Sequence, residues 1–258
     1  MTNLCHHPEN VPALDLPNTI LEKIGTLTLT EYLGHGFSNH HWRLTTENHC
    51  YIWRQFGPTP PGANRANERL ALTHLQAFPW APKLVIDSSE GILFEAALET
   101  SPRGEISSTQ RQQLIQAIIT LWQQQIPLSQ MDYPKLIRHY ASLAYTIDTK
   151  QVSQLMDIAH RWKTDQFCVI HQDIHIDNLV MTDTGFLLID WEYAVIGNPW
   201  IDAVALDRMF SLTHDEKNLI QQHLPDLEIK HPWQAMHQWL NQLDQLWFAA
   251  QKAKLVVE

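Results

Sequence analysis

Three cysteines, Cys5, Cys50 and Cys168, are all that this 258-residue chain carries, and they lie far apart without CxxC spacing. That excludes a disulfide framework and points to a reducing compartment. Long apolar runs are missing too: none reaches the roughly 18 residues that a membrane span needs. The opening MTNLCHHPEN has no basic segment followed by an apolar one, so the expected location is the cytoplasm, with no membrane partner. Positive charge is scarce, with 18 Lys and Arg against 28 Asp and Glu and a net charge of −10. A nucleic-acid binder would show a basic face, so nucleic acid is not an expected partner, whereas an acidic chain suits a cationic one through steering. Internal repeats and low-complexity tracts are absent. What remains, 44% hydrophobic and 18% charged residues, is the composition of a globular chain long enough for one large domain or two lobes.

The most informative stretch is His171–Glu192, HQDIHIDNLVMTDTGFLLIDWE. Leu179–Thr182 and Phe186–Ile189 read as two strands closed by Asp183-Thr184-Gly185, with polar residues at their outer ends. These are the parts of a metal-assisted phosphoryl-transfer site. Asp173 is placed to orient an attacking hydroxyl and accept its proton, while Asn178 and Asp190 offer hard oxygen ligands to Mg2+ on nucleotide phosphates. The hairpin sets their separation.

Ahead of that stretch, a short helix is expected within Val11–Gly25, then strands over Thr26–Leu33, His41–Thr46 and Cys50–Phe56, a helix over Asn64–Ala77, and strands over Ala81–Asp87 and Gly91–Leu98. Between the first two strands, Gly34-His35-Gly36-Phe37-Ser38-Asn39 is the expected phosphate-covering loop, since glycines let backbone N–H groups come close and Ser38 adds a hydroxyl. After Ser101-Pro102-Arg103-Gly104 the pattern turns helical apart from the catalytic hairpins. Ser107 and Gln110 form a capping box for Thr109–Gln124, and helices follow over Asp132–Leu143, Val152–Lys163, Asn198–Phe210 and Pro232–Lys254.

HQDIHIDN followed by LLIDWEYA resembles the choline kinase and aminoglycoside phosphotransferase superfamily, small-molecule relatives of the protein kinases, and LIDWEYA is most similar to its choline and thiamine kinase branch. The protein-kinase pattern has His-Arg-Asp and Asp-Phe-Gly; here His171-Gln172-Asp173 and Asp190-Trp191-Glu192 stand in their places. The resemblance implies an α+β, bilobal kinase-like fold. A small lobe (1–98) would hold a five-stranded antiparallel sheet plus a helix, and a mainly helical lobe (99–258) the catalytic loop. ATP would bind between them with Mg2+.

By the same resemblance, His171 braces the catalytic loop, Glu192 adds a carboxylate beside the metal, and Asp202 ties the loop down. Gly36, Ser38 and Asn39 face the phosphates, Arg54 grips them with Glu68 as its partner, and the hinge segment, including Glu95 and Ala97, meets adenine. The acceptor implied is a small cationic alcohol, thiamine or choline, held by cation–π attraction to rings such as Trp191, Trp239 and Trp247. An aminoglycoside or other small-molecule acceptor and a catalytically silent kinase-like binder are the alternatives. Only a short segment separates Asp190 from Asn198, which argues against an activation loop and a protein substrate. Monomer and dimer are both open.

Overall fold

The computed structural model describes residues 13–14, 16–36, 39–97, 106–144 and 148–255. They fall into two compact units, Met1–Pro60 with Pro82–Ala97, and Pro61–Ala81 with Leu98–Glu258.

The first unit is a helix on a sheet. Helix α1 (Asn18–Ile24) ends where Gly25, at φ 83°, donates its N–H to the Leu21 carbonyl at 2.9 Å, a left-handed stop that glycine adopts without steric cost. Strands β1 (Leu29–His35), β2 (Asn39–Thr45), β3 (Cys50–Phe56), β4 (Leu84–Asp87) and β5 (Gly91–Glu95) form one antiparallel sheet in the order β1-β2-β3-β5-β4. The expected five strands are therefore present, each within a few residues of the sequence reading.

Alternation along the strands sorts their residues. Trp42, Leu44, Trp53 and Leu93 point to one face and bury against Ile20 of α1, while Arg43 points away and pairs with Glu31 at 2.8 Å. Arg54, next to Trp53, lies on the opposite face and is also buried. Gly91 sits so close to β3 that a Cβ there would lie 2.3 Å from the Arg54 carbonyl and 2.7 Å from the Trp53 ring, so any side chain would push β5 off β3.

The second unit begins with α2 (Arg65–His74), whose N-cap Asn64 accepts from the Ala66 and Asn67 amides. Although this segment lies early in the chain, its contacts are with the helical unit. Asn67 donates to Ser129 and to the Ala194 carbonyl, and the Asn64 N–H reaches the Glu192 carbonyl at 2.7 Å. Helices α3 (Ser108–Trp122), α4 (Tyr133–Leu143) and α5 (Thr149–Ala159) follow. The Ser107–Gln110 capping box is formed, and Asp132 caps α4.

Four short strands and three helices complete the unit: β6 (Cys168–Ile170), β7 (Leu179–Thr182), β8 (Gly185–Leu188), β9 (Val195–Gly197), α6 (Trp200–Phe210), α7 (His214–Gln221) and α8 (Pro232–Leu255). The β7–β8 hairpin is the expected one. The antiparallel pair β6–β9, with Ile170 opposite Val195, is a feature the periodicity does not disclose, because three residues are too few to carry a pattern. Trp162 and Trp239 pack against Tyr133 with centroids 4.9 and 5.8 Å away, joining α4 to α8. No helix among the described residues is long and apolar enough to cross a membrane.

Candidate active site

The β6–β9 pair brings two turns together. Residue 171 leaves β6 directly opposite the point where the Trp191–Tyr193 turn feeds β9. The first two amides of the loop that begins at His171 are satisfied from outside it, and Gln172 is held at φ 68°, a conformation that costs a non-glycine residue energy.

Asp202, in the first turn of α6, supplies the compensation. Its Oδ2 accepts the His171 N–H at 3.0 Å and the Trp122 indole N–H at 3.2 Å, and its Oδ1 accepts the Gln172 N–H at 2.9 Å. The carboxylate is fully buried without a cation, and burial pushes its pKa up to about 6 although all three donors favour the charged form. Asp202 thus anchors the loop.

His171 has both ring nitrogens occupied by backbone. Nε2 donates to the Ile189 carbonyl at 3.0 Å, and Nδ1 accepts the Asp173 N–H at 3.3 Å. Its ring meets Trp191 edge-on at 4.6 Å. Burial pushes its pKa down to about 4, so near neutrality the ring is uncharged and serves as a strut between the two turns.

The Asp173 carboxylate is one-third exposed. Its Oδ2 accepts the Asn178 side-chain N–H at 3.0 Å and lies 3.5 Å from His175 Nε2. Burial works to raise its pKa, but the hydrogen bond and charge of His175, with help from His171 and Asn178, outweigh burial and hold the group below the ordinary carboxylate range. The Asn178 amide also donates to the Asp173 carbonyl at 2.9 Å. Its nitrogen therefore faces Asp173, and its oxygen is the atom left for a ligand.

The hairpin register, Leu179 opposite Leu188, extends one step through the Ile189 N–H to the Asn178 carbonyl at 2.9 Å. Asp190 follows at once, in the left-handed conformation at φ 65°. Asn178 and Asp190 are a hard-oxygen pair of the kind Mg2+ takes when phosphates and water complete its shell, so the donors present fit that ion. Among the described residues no cluster of three or more His, Cys, Asp or Glu converges as a metal site.

Three residues expected beside ligands have partners within the protein. Glu192, assigned beside the metal, is buried and paired with Arg65 at 2.8 Å, and the same guanidinium reaches Glu68 at 3.1 Å. A buried carboxylate needs a counter-charge, and Arg65 supplies it, fastening α2 to the turn. Trp191 is in the core, stacked on Trp80 at 6.1 Å, with its indole N–H bound to the Leu188 carbonyl. Trp239 is likewise fully buried and donates to the Leu155 carbonyl. Neither ring has a face to offer a ligand.

Trp247 is only partly buried, and its indole donates to the Tyr193 hydroxyl. Burial pushes the Tyr193 phenol up, and the charges of Glu192 and Asp173 add to the rise. Asp244, one turn before Trp247 on α8, pairs with Arg208 at 2.8 Å, and burial together with the Asp173 charge pushes its carboxyl up. Tyr193 and Asp244 therefore both feel the charge of Asp173. The sequence reading included Trp247 alone; Tyr193 lies inside LIDWEYA and Asp244 three residues before Trp247, so proximity to those residues was the available signal.

In the first unit, Arg54 is central on β3 with its guanidinium 5.7 Å from the ring centroids of Phe56 and Phe94. The Gly36 N–H donates to the Asn39 carbonyl at 3.0 Å, and Ser38 lies outside the described residues. Glu95 and Ala97 are exposed at the end of β5, with the Glu95 N–H on the Lys83 carbonyl at 2.9 Å.

Several solved structures share this fold. The choline kinase LicA from Streptococcus pneumoniae has 19% sequence identity, with 92% of this chain and 91% of that one covered and a TM-score of 0.72. A choline/ethanolamine kinase family protein from Mesorhizobium loti has 16% identity, coverage of 93% and 83%, and a TM-score of 0.65. The spectinomycin phosphotransferase APH(9)-Ia, in complex with ADP and spectinomycin, has 11% identity, coverage of 87% and 82%, and a TM-score of 0.62. At such identities the likeness establishes a kinase-like α+β fold and nothing narrower. No curated protein sequence matches. The model described as the phosphotransferase enzyme family matches residues 30–224, and with most of its length covered the chain belongs to that family.

Proposed function

We propose that the chain transfers the γ-phosphoryl group of ATP to the hydroxyl of a small cationic alcohol, of the thiamine or choline type. The observation that carries this reading is the Asp173 carboxylate. Neighbouring donors favour its ionised form and occupy Oδ2, so Oδ1 is available to a hydroxyl, and Tyr193 and Asp244 are close enough to feel its charge.

In the proposed reaction the alcohol proton passes to Asp173 Oδ1 as the oxygen bonds to the γ-phosphorus and the bond to the ADP leaving oxygen breaks. Asn178 Oδ1 and Asp190 would hold Mg2+, which when bound neutralises charge developing on the phosphates. Arg54 and the backbone around Gly36 and Asn39 contribute to nucleotide binding, and the segment 95–97 would meet adenine. Two relatives of the fold are described in complex with AMP and ADP, which supports a nucleotide substrate. Partly desolvated rings attract a quaternary or thiazolium cation by about 0.5–2 kcal/mol each.

A second reading, an antibiotic phosphotransferase, is favoured by the spectinomycin and macrolide enzymes among the similar folds. ADP release followed over thiamine, choline, ethanolamine, spectinomycin, an aminoglycoside and a macrolide separates the two. Turnover on thiamine or choline, lowered on the order of 10³-fold by Asp173→Ala, is the expected result. Turnover confined to the antibiotics, or a variant that keeps its kcat, would sink the first reading.

A further inference from the structure

We propose that Arg65 is a positioning residue for Asp190: its ion pair with Glu192 ties the turn that follows Asp190 to the first turn of α2, and thereby fixes where the Asp190 carboxylate stands. The inference rests on the reading of Asp190 as a ligand of Mg2+, and it adds two residues, Arg65 and Glu192, that act at one remove from the ion.

Asp190 needs holding. Its left-handed backbone, at φ 65°, is a conformation that a non-glycine residue keeps only where its surroundings impose it. On the side before it, Ile189 is bound twice, its N–H donating to the Asn178 carbonyl at 2.9 Å and its carbonyl accepting from His171 Nε2 at 3.0 Å. On the side after it, the Ala194 N–H closes the turn on the Trp191 carbonyl at 3.0 Å. Three bonds then locate that turn against α2. The Asn64 N–H donates to the Glu192 carbonyl at 2.7 Å, Arg65 Nη1 to Glu192 Oε2 at 2.8 Å, and Asn67 Nδ2 to the Ala194 carbonyl at 3.0 Å.

Of these three, the Arg65 bond is the one formed between charges. Glu192 and Glu68 are both buried, and the same Nη1 reaches Glu68 Oε2 at 3.1 Å, so one guanidinium serves two acids. A buried carboxylate is costly to keep in place once a counter-charge is removed. Glu192 stands two residues from Asp190, so its displacement would carry the turn with it. Asn67 works alongside, with both ends of its amide bound to Ser129, at 2.9 and 3.0 Å. Glu192 thus acts on the metal through Arg65 and not as a ligand of it.

A double-mutant cycle separates those two roles. The readout is binding of Mn2+ to the protein in the presence of ADP, followed by the EPR signal of free Mn2+; it requires no acceptor, so it stands whatever alcohol is used. Arg65→Gln should weaken Mn2+ binding about ten- to a hundredfold, as loss of a partner behind a metal ligand does, and Glu192→Gln about three- to tenfold. The double variant should bind Mn2+ no more weakly than Arg65→Gln alone, because without Arg65 the contact through which Glu192 acts is already gone. Losses that multiply would mark Glu192 as a metal ligand in its own right and overturn the proposal. So would an Arg65→Gln protein whose Mn2+ binding stays within about twofold of wild type. Should that variant not fold, Arg65→Lys, which keeps the cation without the planar fork, takes its place in the cycle with smaller losses in the same sense.

In steady-state kinetics, Arg65→Lys should raise the Mg2+ concentration for half-maximal rate about fivefold while the KM for the alcohol stays within about twofold, a split that general loosening of the fold would not give. Equal rises in both would overturn the positioning role. Asp190→Asn is the control: if it leaves Mn2+ binding unchanged, the metal reading of Asp190 has failed. Hydrogen exchange without metal then decides the contact, since the Ile189 and Ala194 amides should exchange faster in Arg65→Gln than in wild type, and equal rates overturn the proposal.

Discussion

Two fully buried ionisable side chains hold the loop that carries Asp173, and they respond to acid in opposite directions. The His171 ring has a folded-state pKa of about 4, below the ordinary 6.5. The unfolded chain therefore takes up the proton first, and acidification through that window removes stability. The Asp202 carboxyl has a folded-state pKa of about 6, above the ordinary 3.8. Here the folded chain takes up the proton first, so acidification from about 6 to 3.8 adds stability. The two effects oppose one another over the same pH window. Removing either should expose the other. Relative to wild type, Asp202→Asn should lose melting temperature faster between about pH 7 and pH 4, and His171→Gln more slowly. Calorimetry at a few pH values checks both, and curves parallel to the wild type would refute the argument. Asp202→Asn should also lose kcat, because an NH2 would replace one of the two accepting oxygens and leave the donors on that side facing another donor.

At the scale of elements, the short β6–β9 pair matters more than its length suggests. A Cβ on Gly197 would lie 2.4 Å from the Tyr133 hydroxyl and 2.7 Å from Ile170 Cδ1. That hydroxyl accepts the Asn198 N–H at 3.2 Å and donates to the Gln172 side chain at 3.4 Å. Gly197→Ala should therefore cost about 1–3 kcal/mol by overpacking, seen in urea unfolding, and should lower kcat by shifting the strand that delivers His171. A variant of wild-type stability and activity would show that the pair does not position the loop. The aromatic residues are also understood at this scale. A stripe of tryptophans on α8 reads more often as core than as ligand surface; Trp239 went to the core because α4 and α5 cover it, and Trp247 is only partly buried.

For the molecule as a whole, a net charge of −10 surrounds a site that already contains Asp173, Asp190 and Asp244. A cationic alcohol should gain from that field, and salt should screen it. The kcat/KM for choline or thiamine should fall roughly two- to fivefold between about 20 and 200 mM salt, while a neutral alcohol acceptor should show little change; equal salt dependence for both would remove the steering argument. By itself the sequence determined the elements: five strands, the β7–β8 hairpin, the Ser107–Gln110 box, and the placing of Asp173, Asn178 and Asp190 along a loop and a turn. Those features are written in periodicities, caps and turns that span a few residues. Tertiary structure alone decided the partners that lie far apart in the chain: Arg65 with Glu192, Asp202 with the amides of residues 171 and 172, Tyr193 with Trp247, and the segment Pro61–Ala81 with the helical unit. Burial and charge pairing depend on which surfaces meet, and no local pattern encodes that.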